Sequence, residues 1–208
     1  MYTRAGAFLD RIGEFDPEFF GISPREATHL DPQQRLLLES SYLALADAGF
    51  DPLKLQGSNT AVFVGMTQDE YAQRPIRSGD PTQIHPHSAL GTSRAVAAGR
   101  IAYEFGLQGP AIQLDTTCSS SLVAVHTACQ SLRTGEAEAA LAGGVNLILS
   151  PESSIACCKL QALSPDGRCY TFSDRANGYV RGEGCAMIVL QRVSDAIAES
   201  RPIYGIIR

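Results

Sequence analysis

From residue 31 to residue 191, short apolar runs alternate with longer stretches of helical spacing. That alternation of strand and helix predicts a layered α/β architecture. Asp31-Pro32 opens the first long helix, with Asp as N-cap and Pro at the first helical position. Leu36, Leu38, Tyr42, Leu43, Leu45 and Ala46 give it an apolar face, and Gly49 stops it. The run GSNTAVFVG, 57 to 65, reads as a strand between glycines. Polar sequence with Pro75, Pro81 and Pro86 predicts a long loop from 67 to 88. A small-residue helix follows over 92–103, broken at Gly106 and Gly109-Pro110. Residues 111–117 (AIQLDTT) form the next strand, and Cys118-Ser119-Ser120-Ser121 begins another helix. Its face is Leu122, Val125, Cys129 and Leu132, and Gly135 ends it. Residues 138–149 read as a buried strand around a Gly pair, 164–184 as a Gly- and Asp-rich connection, and 185–191 as a last strand. The first thirty residues, with Phe8, Phe15, Phe19 and Phe20, read as an irregular, partly buried lead-in.

A chain of 208 residues holds one large domain or at most two small ones. With 44% hydrophobic residues it can build a core, but only 19% are charged, below the roughly 25% usual in soluble domains. So little charge predicts that much of the surface is covered by something else. A net charge of −5 argues against nucleic-acid binding as the main task. No apolar run approaches the length of a membrane span, and no apolar h-region follows Met1. The expectation is a soluble cytoplasmic protein without a membrane partner.

Six cysteines (118, 129, 157, 158, 169 and 185) and four histidines (29, 85, 87 and 126) show no metal-ligand spacing and no disulfide framework. Most of the thiols read as small buried hydrophobes. Cys118 is different, because it stands where a strand gives way to a helix. A helix start carries unpaired N–H groups and partial positive charge. That field favours a thiolate, and the backbone N–H can hold an oxyanion. Placement alone also suits a small residue at a crowded junction.

The surrounding strings decide between these readings. Gly109-Pro110, Asp115-Thr116-Thr117-Cys118-Ser119-Ser120-Ser121-Leu122 and Leu141-Ala142-Gly143-Gly144-Val145-Asn146 resemble the β-ketoacyl synthase family. The likeness is strongest to the ketosynthase domains of modular polyketide synthases. Further matches are Phe19-Phe20-Gly21-Ile22-Ser23-Pro24-Arg25-Glu26, Asp31-Pro32-Gln33-Gln34-Arg35, Leu163-Ser164-Pro165-Asp166-Gly167-Arg168-Cys169 and Gly178-Tyr179-Val180-Arg181-Gly182-Glu183-Gly184.

The resemblance implies a thiolase-like layered fold, of which residues 1–208 are the N-terminal portion. It also implies an acyltransferase that elongates a carrier-bound polyketide or fatty acyl chain by decarboxylative Claisen condensation. Cys118 is then the acyl nucleophile, with its own N–H in the oxyanion hole. Substrates arrive on the phosphopantetheine of an acyl carrier protein, and no cofactor or metal is bound by the chain itself. The resemblance further implies a homodimer joined through the strand Ala111–Asp115, which an Ile112→Pro change is expected to weaken.

Two departures stand out. Thr117 occupies a place where the family most often has alanine. The family's two catalytic histidine motifs do not occur in these residues, nor does its opening Gly-rich strand, expected at the centre of the first sheet. A gap there would leave residues 61–64 and the strand ending at Leu149 without neighbours, and an unstable, aggregating chain is expected. His126 cannot substitute for the missing pair, since eight helical residues place it about 12 Å from Cys118. His29, His85 and His87 read as solvated. The string Gly178 to Gly184 has the wrong order for a phosphate loop and reads as a structural connection. The alternative function is a non-catalytic remnant or dimerisation module of a polyketide synthase.

Overall fold

The computed structural model describes all residues, 1–208. Its centre is one four-stranded sheet built from β1 (Thr60–Met66), β2 (Ala111–Leu114), β3 (Ala139–Asn146) and β4 (Gly184–Gln191), in the order β2-β1-β3-β4. β1 runs parallel to both neighbours, and β4 closes the other side antiparallel to β3.

Eight α-helices surround the sheet: α1 (Pro24–His29), α2 (Pro32–Asp47), α3 (Gln73–Ser78), α4 (Pro86–Gly91), α5 (Ala97–Phe105), α6 (Ser120–Thr134), α7 (Pro151–Lys159) and α8 (Val193–Ala198). Alternation along each strand sorts the core into two layers. Val62, Val64, Met66, Leu141 and Val145 pack with Leu37, Leu38 and Leu45 of α2 and Ile101 and Phe105 of α5. On the opposite face Ala61, Phe63, Ala140 and Ala142 meet Ala124, Ala128 and Leu132 of α6.

β1 pairs directly with β3 over seven registered positions, from Thr60↔Ala139 to Met66↔Val145. No place for a strand exists between them, so the expected central gap is absent. The two open edges are those of β2 and β4.

Other expectations shift in detail. The stretch 67–88 is not a plain loop, since it carries α3 and the start of α4, both short and proline-bearing. Helices α1, α7 and α8 have no counterpart in the sequence pattern. In α2 the buried face is Gln33, Gln34, Leu37, Leu38, Ser41 and Leu45, whereas Leu43 is exposed. Residues 34, 38, 41 and 45 share one stripe, from which Leu43 is rotated away. In α6 the buried stripe is Ser120, Ala124, Ala128, Ser131 and Leu132, while Leu122 projects outward.

Asp31 caps α2 as anticipated, accepting from the Gln33 N–H at 2.8 Å. It is fully buried, and desolvation raises its carboxyl to about 6 despite the hydrogen bonds from Gln33. The lead-in is tied down by real contacts. Ala7 bridges Gly182, and the Tyr2 hydroxyl donates to the Leu163 carbonyl at 2.7 Å.

Candidate active site

The site forms outside the carboxyl ends of the parallel strands, where α/β sheets commonly place their ligand crevices. β2 ends at Leu114, and after Asp115 and Thr116 the chain makes a 3₁₀ turn, Thr117–Ser119, which feeds α6 at Ser120. Cys118 therefore sits in the turn just before the α-helix rather than within its first turn. It is exposed and opens onto a cleft of about 890 Å³.

Glycine is what lets the helix start approach the sheet. A Cβ on Gly65 of β1 would stand 2.7 Å from the Ser120 carbonyl carbon and 2.7 Å from the Ser121 nitrogen. One on Gly144 of β3 would stand 3.0 Å from the Gly65 oxygen and 3.1 Å from the Ser121 Cβ. Both glycines are needed for close backbone approach. Ala124 and Ala128 continue that small contact surface along α6.

The turn is held by polar contacts on every side. Asp115 Oδ1 accepts from the Thr117 N–H at 3.0 Å and from the Thr67 hydroxyl at 3.0 Å. Arg94 donates to Asp115 Oδ2 at 2.8 Å and to the Thr67 carbonyl at 2.6 Å. The Thr117 N–H, the Thr67 hydroxyl and Arg94 together hold the Asp115 carboxyl below its usual range. The Thr116 N–H donates to Ser120 Oγ at 2.9 Å, and that hydroxyl donates to the Thr117 carbonyl at 2.7 Å. The N–H groups of Thr116, Thr117 and Ser119 are thus all engaged, while that of Cys118 stands unpaired. Thr117 itself adopts φ +56°, a left-handed conformation that β-branched residues rarely take.

The remaining cysteines are placed differently. Cys158 is buried, and Cys185, which lines the cleft, has its thiol pushed up to about 11 by burial. Cys129 is half-buried on α6. Cys169 is exposed and not itself a lining residue of the cleft, its sulfur accepting from the N–H of cleft-lining Val180 at 3.3 Å. Cys157 lines the cleft with Cys118, and the Tyr179 hydroxyl donates to its sulfur at 3.3 Å.

His126 is exposed on α6 and lines no part of the cleft. The other three histidines are not independently solvated as expected. His85 stacks on His29 at 4.4 Å and on His87 at 5.0 Å between ring centroids, and all three are half-buried.

The string Gly178 to Gly184 is structural, as expected, through the Ala7 bridge and through Glu183, whose carboxylate accepts from the Ile148 and Leu9 N–H groups. All of it from Tyr179 to Gly184 also lines the cleft, including the side chains of Tyr179 and Arg181, which sequence reasoning missed. It missed Glu70 too, a buried carboxylate that accepts from the Leu149 N–H at 2.7 Å and the Ser150 N–H at 2.8 Å, securing the start of α7. Only a polar residue in an apparent loop marked it.

Comparison with known proteins places the chain in a family. Residues 1–196 match the family described as β-ketoacyl synthase, N-terminal domain. Polyketide synthase GfsA of Streptomyces halstedii is 49% identical over 207 residues, covering 100% of this chain and 3% of that protein. A phenolphthiocerol/phthiocerol polyketide synthase of Mycobacterium tuberculosis is 52% identical over 205 residues, covering 98% of this chain and 9% of that protein. Among solved structures, the ketosynthase from module 6 of the bacillaene synthase of Bacillus subtilis 168 superposes with a TM-score of 0.84 at 44% identity. It covers 95% of this chain and 33% of that one. The chain therefore spans about a third of a solved ketosynthase and under a tenth of these curated relatives. In sequence and in the layered thiolase-like fold, the chain belongs to the β-ketoacyl synthase family, as the N-terminal domain found in polyketide synthase ketosynthases.

Proposed function

We propose that this domain accepts an acyl group on Cys118 from an acyl carrier protein, as the first half of a polyketide ketosynthase reaction. The observation that carries the reading is the exposed Cys118 with an unpaired N–H, in a turn fixed by Asp115 and Ser120 at the mouth of α6. The sulfur attacks the carbonyl carbon of the carrier-bound thioester, and the carbonyl π electrons move onto oxygen. The Cys118 N–H and the positive end of α6 face that developing charge. Collapse breaks the bond to the phosphopantetheine sulfur, which leaves as a thiolate and takes a proton, while the acyl group stays on Cys118. A carbanion from a decarboxylating malonyl-type extender then attacks the acyl carbonyl, forming the carbon–carbon bond and releasing Cys118.

Stabilising the charge that decarboxylation develops belongs to two histidines that have no counterpart among the histidines placed here. Residues 1–208 are therefore expected to acylate without condensing. We also infer that two copies associate through the open edge of β2.

The test is mass detection of an acyl adduct after incubation with an acyl-loaded carrier protein. Cys118→Ala should reduce the adduct by at least about 100-fold. Cys169→Ala, which removes the other exposed thiol, should leave it unchanged. An adduct that persists in Cys118→Ala overturns the assignment, and no adduct in the parent supports a non-catalytic dimerisation module instead.

A further inference from the structure

The cleft beside Cys118 has two unlike walls. On one side Leu122 and Val125 of α6 and Ile188 of β4 present carbon. On the other, Ser153, Cys157, Tyr179 and Arg181 present oxygen, sulfur and nitrogen. Much of that polar wall satisfies itself. Arg181 donates to Ser153 Oγ at 2.7 Å and to Ser154 Oγ at 2.6 Å, and the Ser153 hydroxyl donates to the buried Glu70.

Tyr179 is the exception. Its hydroxyl proton is engaged by Cys157, and no group of the protein donates to its oxygen. The residue is 45% exposed and lines the cleft. The hydrogen bond to Cys157 comes first among the causes that push the phenol up to about 12, followed by burial, and the charge of Cys118 also contributes. At neutral pH the phenol is therefore protonated, and it lines the same cleft as Cys118.

While its proton stays on Cys157, this oxygen acts as an acceptor. A hydroxyl on the acyl chain can donate to it; a ketone offers lone pairs alone, and an alkyl chain leaves it without a partner. Sites built to hydrogen-bond a substrate hydroxyl discriminate against analogues that lack it, because the protein's polar group is then left unpaired. We infer that Tyr179 is a specificity-determining residue that selects hydroxylated acyl chains, by accepting a hydrogen bond from a hydroxyl near the thioester end. The carbon wall takes the remainder of the chain. This inference rests on the reading of Cys118 as the acyl acceptor.

The experiment follows acylation of Cys118 by intact mass, using N-acetylcysteamine thioesters of hexanoate, β-hydroxyhexanoate and β-oxohexanoate on the 208-residue chain. The β-hydroxy thioester should react about fivefold faster than either of the others, the rate equivalent of one neutral hydrogen bond. Tyr179→Phe should remove that preference, bringing the β-hydroxy and hexanoyl rates within about twofold of each other. Cys157→Ala frees the phenol proton to donate, so the β-oxo thioester should rise to the β-hydroxy rate. Equal rates in the parent overturn the inference alone, as does a preference that survives Tyr179→Phe. If Tyr179→Phe loses its hexanoyl rate as well, Cys157→Ala decides, and an unchanged preference for hydroxyl over ketone there overturns the inference. Failure of all three thioesters to acylate the parent overturns both readings together.

Discussion

Thr117 holds the cysteine in place at a cost to the backbone. A left-handed conformation costs an L-residue roughly 1–2 kcal/mol, and branching at Cβ adds to the crowding. The turn persists because Asp115 accepts the Thr117 N–H and Ser120 donates to its carbonyl, fixing both sides of the strained residue. Strain stored next to a reactive group in this way is typical of functional sites. Thr117→Gly should therefore stabilise the fold by about 1 kcal/mol in urea unfolding. The same change should slow acylation of Cys118 roughly tenfold, because a freer turn no longer aims the sulfur. Thr117→Ala, which keeps a Cβ but loses the branch, should fall between the two. A variant that lost both stability and acylation would show that the threonine side chain, not its backbone, holds the turn. At this scale the sequence singled out Cys118 through the strings around it, since its placement at a strand end before three small residues also suits a merely packed side chain. It was silent about Tyr179 and Glu70. Their partners lie 22 and about 80 residues away in the chain, and only the folded sheet brings them together.

At the scale of elements, strands and long helices were legible from periodicity. Helices α1, α3, α4 and α8, of six residues each, were not, being too short to show a repeat. Sheet order was not legible either, since nothing local in residues 60–66 specifies that residues 139–146 lie directly beside them. The ladder also corrects the mutation expected to probe association. The Val62 N–H donates to the Pro110 carbonyl, and Val62 pairs with Ala111, so parallel geometry turns the Ile112 N–H inward to β1. Proline at 112 would break the sheet itself. The outward-facing donors of β2 are Ala111 and Gln113, and Gln113 also uses its side chain on the Met66 carbonyl at 2.7 Å. Ala111→Pro is therefore the cleaner probe of the open edge. It should weaken self-association at least about tenfold in sedimentation velocity and leave the thermal midpoint within a few degrees. Ile112→Pro should instead lower the midpoint sharply. Unchanged association in Ala111→Pro would show that two copies do not pair through β2.

For the whole molecule, the accessible surface is the deciding quantity. At 22.2 kDa a compact monomer exposes about 9,400 Å², whereas this chain exposes 11825 Å². The surplus, roughly 2,400 Å², is comparable to one partner's share of a large obligate interface. Part of it is apolar, and two stretches of it border the grooves of the molecule. Ile188 on β4 and Ile203, Tyr204, Ile206 and Ile207 of the last segment border an apolar groove, and Leu122 stands 74% exposed beside the cleft. The low charge content of the sequence anticipated such surface, but the expected reason for instability, a missing central strand, does not hold. A continuous sheet with a packed layer on each face should fold cooperatively. What the bare surface predicts is association rather than unfolding. Expressed alone, the 208-residue chain should show a single sigmoidal thermal transition by circular dichroism, while light scattering reports species growing with concentration beyond a dimer. Replacing Ile188, Ile206 and Ile207 together with serine should return the larger species to dimer or monomer without abolishing the transition. If the parent chain stays monodisperse at high concentration, the surplus surface is not adhesive. If it shows no cooperative transition, the two layers do not suffice to hold the sheet, and the fold depends on contacts beyond these residues.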